Sequence, residues 1–353
     1  MDKIKNELRI LTESVGEGSF GCVHTCLIDG IKCAIKCEDK IKNTSLSLFK
    51  EFKICRKIYN IKKYLYDDKE INSSTKIYDY IVNNNILNIP NELSIDYLKY
   101  NKIIPETKTF YECEDYNLLT MDLCGINFET VLEKYKLTIN CKYYIAYYLL
   151  LIMSCIHRCG VIHRDMKLSN LVLSGNINDS DLKLILIDMG LAKEFYTIEN
   201  NTVVVIKPKK ASNITGTIRY LSLNIHEYNS PTIIDDLIGM CYMLINIFTE
   251  KDLPWVGHRK DDKKFDRTKH TSKNCKCKYH ENVEKEFKRN TIAEVKYHYN
   301  LNKLCGEYEF LKEWLIYLYS LKIGQMPSYN ILLQILVKDK NFKLKIKLEF
   351  IEK

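Results

Sequence analysis

Two short stretches carry residue types that could do chemistry. His163-Arg164-Asp165-Met166-Lys167-Leu168-Ser169-Asn170 is followed by Leu186-Ile187-Asp188-Met189-Gly190. Moving a phosphoryl group requires in-line positioning and charge neutralisation more than covalent chemistry. Asp165 would accept or orient the proton of an acceptor hydroxyl, and Lys167, two residues on, would meet the γ-phosphate. Asn170 and Asp188 would give oxygens to Mg²⁺, a hard cation that prefers such ligands. Asp188 follows an apolar run, residues 184–187, and precedes Gly190. An acid placed there is costly to bury without a cation partner.

Further upstream, Gly16-Glu17-Gly18-Ser19-Phe20-Gly21-Cys22-Val23 has three glycines that let backbone amides approach a polyphosphate. Taken alone, this pattern also suits an ordinary hairpin. Thirteen residues after Val23 stands Lys36, in Ala34-Ile35-Lys36. A lysine ending an apolar strand can snorkel to the surface. At this distance from a glycine hairpin it can instead reach the α and β phosphates, and it then needs a carboxylate to hold it. Glu51, on the helix that follows, is placed to do so; standing alone, it would read as a solvated helix charge.

The elements that must position these groups read as α+β. Residues 10–37 alternate apolar and polar around glycine, as antiparallel strands do. Residues 45–59 have helical spacing through Leu48, Phe52, Cys55 and Ile58. Residues 60–103 are rich in Asn, Lys and Tyr and read as an insertion with one helix, a partner-docking segment or simply a loop. Residues 117–123 predict a buried strand, and from Phe128 onward the spacing is largely helical, with short strands near 171–173 and 184–187. The expectation is a small β-rich lobe with one main helix, a hinge near 122–125, and a larger helical lobe, with the ligand site in the cleft between them.

The 353 residues, 46% hydrophobic and 28% charged, have a globular balance. No run reaches the ~18 apolar residues of a membrane helix; residues 143–156, with four tyrosines, read as a buried core helix. The N-terminus has no apolar signal region, so a cytoplasmic or nuclear protein with reduced, buried thiols is expected despite fourteen cysteines. The net charge of +8 is concentrated in residues 258–290, which hold twelve Lys/Arg against six Asp/Glu. That segment is a solvated basic loop or an attachment surface for acidic or phosphorylated partners. Within it His270, Cys275, Cys277 and His280 are a Zn²⁺ ligand set by type, although Cys-x-Cys is tighter than the usual spacing.

With these motifs in order, the chain resembles a eukaryotic protein kinase over residues 10 to about 340. The resemblance implies a bilobal kinase fold: N-lobe about 10–122, hinge 122–125, C-lobe 126–340, and a short extension over 341–353. It implies ATP and Mg²⁺ as cofactors. The nucleotide would lie against Gly16, Gly18, Gly21, Val23, Ala34, Lys36, Glu51, gatekeeper Met121, Asp122 and Cys124, with Gly125 at the lobe junction. Gly216-Thr217 would close the activation segment, where Ala-Pro-Glu usually follows. Ser222-Leu223-Asn224 stands there instead and resembles casein kinase I, as do residues 116–134, 235–257 and 310–336. The vaccinia-related kinases are close cousins; Arg164 favours casein kinase I, and the Met121-Asp122 pair leans the other way.

That narrower resemblance implies a Ser/Thr kinase acting on protein substrates with acidic or phosphorylated sites. Its anion pocket would use Arg219, Gly257, Lys263 and Lys264, with Asp266 standing where another basic residue is expected. Arg219 could instead pair with a nearby acid. Thr217 would bridge the catalytic Asp165 and Lys167. Met189 replaces the usual Phe, and Cys241 a common Gly of the central helix. A monomer without nucleic-acid or membrane partners is expected. With no long tail after the closing helices, it should be constitutively active. A pseudokinase scaffold is the alternative from another class, and the full set of catalytic residues argues against it.

Overall fold

The computed structural model describes residues 8–18, 21–41, 47–66, 92–199, 202–258, 291–343 and 348–353. The glycine-punctuated alternation near the N-terminus forms three antiparallel strands, β1 (Leu8–Gly18), β2 (Gly21–Ile28) and β3 (Ile31–Asp39). With β4 (Thr107–Glu112) and β5 (Tyr116–Asp122) they make a five-stranded sheet in the order β1-β2-β3-β5-β4. Side chains alternate faces along a strand, so the register sorts them. Val23 lies opposite Lys36 and Ala34 opposite Met121, on one face. Cys26, Cys33 and Ile35 pack on the other face as a small core with Leu118 and Tyr111.

Helix α1 (Ser47–Tyr66) is longer than the expected 45–59. Its first turn meets the buried carboxylate of Glu38, which accepts from the Ser47 hydroxyl and the Leu48 N–H (3.3 Å). An anion there offsets the unpaired amides of a helix start. Leu48, Glu51, Cys55, Ile58 and Ile61 are buried on one stripe. The stripe departs from the expected one: Phe52 is half-buried and stacks on Phe110, and the acid Glu51 takes the inner position. Tertiary charge pairing, described below, overrides the apolar pattern there.

Helix α2 (Glu92–Tyr100) packs on α1 and sets Tyr97 against Tyr148, ring centroids 4.1 Å apart. Part of the segment expected as an insertion, 60–103, is packed structure. Residues 60–66 complete α1, Ile103 and Ile104 are core residues, and residues 67–91 lie outside the described ones.

The larger lobe starts with α3 (Phe128–Lys134), β6 (Tyr135–Leu137) and α4 (Ile139–Arg158). Helix α4 is long and apolar enough by composition to cross a membrane, which departs from the expectation that no such segment exists. It is buried in the lobe almost all round. A helix apolar on every side is the centre of a large core. Short pairs follow: β7 (Val161–Ile162), β8 (Leu171–Leu173), β9 (Leu184–Leu186), β10 (Lys193–Glu194), β11 (Tyr196–Glu199) and β12 (Thr202–Val205), with β7 on β10, β8 on β9 and β11 on β12.

The single-turn α5 (Leu223–His226) leads to the central α6 (Ile233–Thr249), then α7 (Ile292–His298), α8 (Leu301–Cys305), α9 (Glu309–Ser320) and α10 (Tyr329–Lys338). The close approach of this helix falls not at Cys241 but at Gly239. An added Cβ there would sit 3.1 Å from Met166 Cβ and 3.3 Å from the Tyr220 carbonyl oxygen, while Cys241 is simply buried. Residues beyond 340 are not a bare extension: β13 (Phe350–Glu352) pairs antiparallel with β6, and Lys353 N–H donates to the Lys134 carbonyl (3.0 Å).

Candidate active site

An ion cluster around Lys36 joins the lobes at the cleft, and Lys57 of α1 pairs with Glu194 of β10 elsewhere. Lys36, within β3, donates to Glu51 Oε2 (2.8 Å) and Oε1 (3.0 Å) on α1, and to Asp188 Oδ1 (2.7 Å) from the other lobe. Burial pushes the lysine down, but the charges and hydrogen bonds of Glu51 and Asp188 outweigh it and hold the ammonium well above its ordinary value. Burial raises Asp188 too; the charge and hydrogen bond of Lys36 outweigh that and keep it below the ordinary carboxylate value. Glu51, wholly enclosed, stays raised by burial despite Lys36. Asp188 has a left-handed backbone (φ 68°), a conformation that costs a non-glycine residue energy and persists only where its surroundings impose it. Met189, buried directly after it, packs in the turn that faces α1.

The second cluster surrounds Asp165. Lys167 Nζ lies 2.8 Å from Asp165 Oδ2, and the Thr217 hydroxyl donates to Oδ1 at 2.6 Å. Asn170 Nδ2 donates to the Asp165 carbonyl oxygen (2.9 Å), which turns its amide toward the same space. His163 Nδ1 accepts the Asp165 N–H (3.2 Å) and its Nε2 donates to the Ile187 carbonyl (3.1 Å). That ring joins the Asp165 loop to the residue preceding Asp188. Thr217 therefore bonds to Asp165, one half of the expected bridge, and Lys167 reaches the same carboxylate directly.

Both loops hang on a residue the sequence reading did not single out. Asp236 of α6 accepts from the backbone N–H groups of His163 (2.6 Å) and Arg164 (2.8 Å), and bonds to His157 Nε2 (3.1 Å). Burial raises this carboxyl, but the hydrogen bond and charge of His157, then His163 and the Arg164 amide, outweigh it and leave it lowered. Its neighbour Asp235 holds the Ser222-Leu223-Asn224 segment. Asn224 Nδ2 donates to both its oxygens (3.1 and 2.9 Å), the Ser222 hydroxyl bonds to Oδ1, and Thr232 donates from N–H (2.7 Å) and hydroxyl (2.8 Å). Burial dominates and raises Asp235 against these neutral donors. Two acids inside the apolar run residues 233–248 were the available signal, since acids so placed must have partners.

Between these anchors runs the turn Thr217–Leu221. Gly216 has φ +103°, and a Cβ there would meet the Arg164 carbonyl oxygen at 2.4 Å, so the segment passes the Asp165 loop closely only with glycine. Arg219 is half-buried, with its guanidinium over the Tyr220 ring at 5.9 Å; among the described residues it has no carboxylate partner. Trp255 Nε1 donates to the Arg219 carbonyl at 2.7 Å, which brings the Leu253–Gly257 turn alongside, with Gly257 exposed at φ +83°. Lys263, Lys264 and the His270/Cys275/Cys277/His280 set, with the rest of 259–290, lie outside the described residues. A cavity of about 560 Å³ opens on the other side of the segment, lined in part by Arg164, Lys193, Lys207, Lys209 and Lys210. These cations were also not singled out from the sequence.

At the nucleotide side, Gly16 pairs with Val23 and Gly18 with Gly21 across the hairpin, Ala34 is buried, and Met121 is half-buried opposite it. The Asp122 side chain turns outward to Lys102 (2.6 Å) and Lys108 (3.4 Å), so only its backbone remains for the cleft. The Gly125 N–H bonds to the Leu173 carbonyl (2.8 Å) and fixes the crossing to the larger lobe.

A β-sheet lobe and a helical lobe that share a Lys–Glu–Asp cluster, facing an Asp–Lys–Asn loop, define a phosphotransferase of the protein kinase class. Sequence comparison agrees: residues 63–308, well over half of the chain, match the family model of the protein kinase domain. The chain belongs to the protein kinase family and is a transferase with protein substrates.

Proposed function

We propose that the protein is a serine/threonine kinase of casein kinase I type that transfers the γ-phosphate of ATP to acidic or phosphate-primed protein sites. The observation that carries the Ser/Thr assignment is the bond from Thr217 to Asp165, which holds the catalytic carboxylate at the mouth where an acceptor hydroxyl would enter. Asp165 would receive the hydroxyl proton as the oxygen bonds to the γ-phosphorus and the bridging bond to ADP breaks. Lys167 would neutralise the charge on the transferred group, and Lys36, held by Glu51, would neutralise the α and β phosphates.

The donor set fits Mg²⁺. Asp188 is held ionised, and the Asn170 amide nitrogen is engaged by the Asp165 carbonyl, which leaves the amide oxygen; a carboxylate and an amide oxygen are hard ligands of the kind this cation uses beside substrate phosphates. Bound there, the cation would supply charge neutralisation at the phosphates. The glycine hairpin, Val23, Ala34, Met121 and the backbone of Asp122 and Cys124 would enclose the nucleotide.

The substrate preference rests on Arg219. A guanidinium beside the catalytic mouth, without a carboxylate among the described residues, suits a phosphate or acidic side chain. The vaccinia-related reading keeps only the Met121-Asp122 pair in its favour. Transfer to a phosphate-primed acidic peptide and to an Arg-rich peptide, by wild type, Asp188→Asn and Arg219→Ala, tests the whole reading. Equal transfer by wild type and Asp188→Asn would refute catalysis by this site. A preference for Arg-rich peptides would refute the substrate class.

A further inference from the structure

The turn that carries Arg219 is held from below by a lysine that the assignments above do not use. Lys296 of α7 is buried, 6% exposed. Its ammonium donates to the carbonyl oxygens of Ile218 (2.8 Å) and Leu221 (2.7 Å) and meets His226 Nε2 at 3.2 Å. An ammonium has three N–H donors and no acceptor, so His226 accepts from it at Nε2. The charge also lies over the rings of Trp255 (5.2 Å) and Tyr242 (5.5 Å), whose π faces favour a cation in a desolvated place. The two carbonyls bracket Arg219 and Tyr220. Trp255 Nε1 holds the carbonyl between them, that of Arg219 itself.

The arrangement has a consequence for Arg219. Three carbonyls of one turn, those of Ile218, Arg219 and Leu221, point down into the lobe, onto Lys296 and Trp255, so the Arg219 side chain is left on the outer face of the turn. Without the ammonium, the Leu221 carbonyl would lose this donor and the Ile218 carbonyl would keep only the long bond from the Leu221 N–H (3.4 Å), so the turn would rotate them toward water. Helix α7 is itself fixed in register: the Thr291 N–H donates to Glu294 (2.8 Å) and the Glu294 N–H returns to the Thr291 hydroxyl (3.4 Å).

We propose that Lys296, together with Trp255, is a positioning residue for substrate recognition: it sets the Ile218–Leu221 turn so that Arg219 presents its guanidinium to an anion on the protein substrate. This rests on the reading of Arg219 given above. Lys296 touches neither nucleotide nor substrate and acts through the turn.

The test is steady-state kinetics with a phosphate-primed peptide and its unprimed counterpart, on Lys296→Met, Trp255→Phe, Arg219→Ala and the Lys296→Met/Arg219→Ala double variant. Lys296→Met keeps the apolar stem and removes the donors. It should raise KM for the primed peptide about tenfold, the size of one charge-assisted hydrogen bond. KM for ATP, kcat and KM for the unprimed peptide should stay within about twofold. In the Arg219→Ala background the same change should have no further effect on primed-peptide KM. Trp255→Phe, which keeps a ring and removes the N–H, should move primed-peptide KM in the same direction by about threefold, and it decides the matter if Lys296→Met does not fold.

Equal rises for both peptides, or full additivity with Arg219→Ala, would mean that Lys296 only supports the fold. So would a lowered melting temperature with unchanged kinetics. If Arg219→Ala abolishes the preference for the primed peptide while neither Lys296→Met nor Trp255→Phe alters it, this inference fails and the reading of Arg219 stands. If Arg219→Ala leaves the preference intact, both fail.

Discussion

Two polar clusters lie on either side of the catalytic mouth, and they are built on opposite plans. The nucleotide side is made of full charges: Lys36 against Glu51 and Asp188, and Lys167 against Asp165. The substrate side is held by single charges among neutral partners: Asp235 among hydroxyls and amides, Lys296 among carbonyls and rings. Opposite charges can exchange one partner for another, so the first cluster can release Lys36 or Asp188 to a phosphate or a cation without leaving a bare charge. Neutral donors or acceptors aimed at one buried ion have no such alternative, and that cluster stays fixed. The site is thus labile where ligands must come and go, and rigid where the substrate turn must keep its shape.

The largest expected effect breaks the labile side. Asp188→Asn should lower phosphoryl transfer by roughly 10³-fold while changing the melting temperature little, since Lys36 keeps Glu51; peptide phosphorylation and thermal unfolding measure the two. Next, Asp235→Ala should lower the unfolding free energy by about 3 kcal/mol, because Ser222, Asn224 and Thr232 all lose a buried acceptor. Urea unfolding reads this, and an unchanged midpoint would contradict a rigid substrate side. Smaller still, Arg219→Ala should reduce selectivity for a primed over an unprimed peptide about tenfold with KM for ATP unchanged.

The smallest effect concerns the adjacent acids of α6. Burial leaves Asp235 raised, while His157 and the loop amides lower Asp236. As pH falls, Asp235 should therefore take up its proton first, above the ordinary value of 3.8, and Asp236 last, below it. The stability contributed by Asp236 is present above the ordinary carboxylate value and disappears as pH falls through its lowered one. Protonation of Asp235 acts in the opposite direction. Carboxyl NMR titration, with each signal assigned by an Asp→Asn variant, would show the order; the reverse order would be wrong for this packing.

Much of the catalytic geometry was legible because its residues are close in sequence or anchored to a strand end. Asp165, Lys167 and Asn170 share one loop, and Asp188 follows β9 closely, so their types and spacing nearly fix their neighbourhood. The Lys36–Glu51 pair was legible as a need, since a lysine in an apolar strand beside a glycine hairpin requires a carboxylate. The helix stripe shows the limit. Periodicity put Phe52 inside, and the lysine from another strand put Glu51 there instead. Helix α4 was read as core, and its burial agrees, but its full length and apolar weight exceeded what the run of residues 143–156 suggested.

By itself, the sequence determined the order of elements, the α+β division and the catalytic constellation, because spacing within a strand, a helix or a short loop is enforced locally by backbone geometry. Only the tertiary structure decided what holds the substrate turn. Lys296 looks in the sequence like an ordinary helix charge, and Asp235, an acid in an apolar run, shows only that it needs partners and not which. Their partners, at residues 218–226 and 222–232, come from separate segments that only packing brings together. A buried charge has meaning only through the groups that surround it, and these are set by the packing of α5, α6 and α7, not by any local rule.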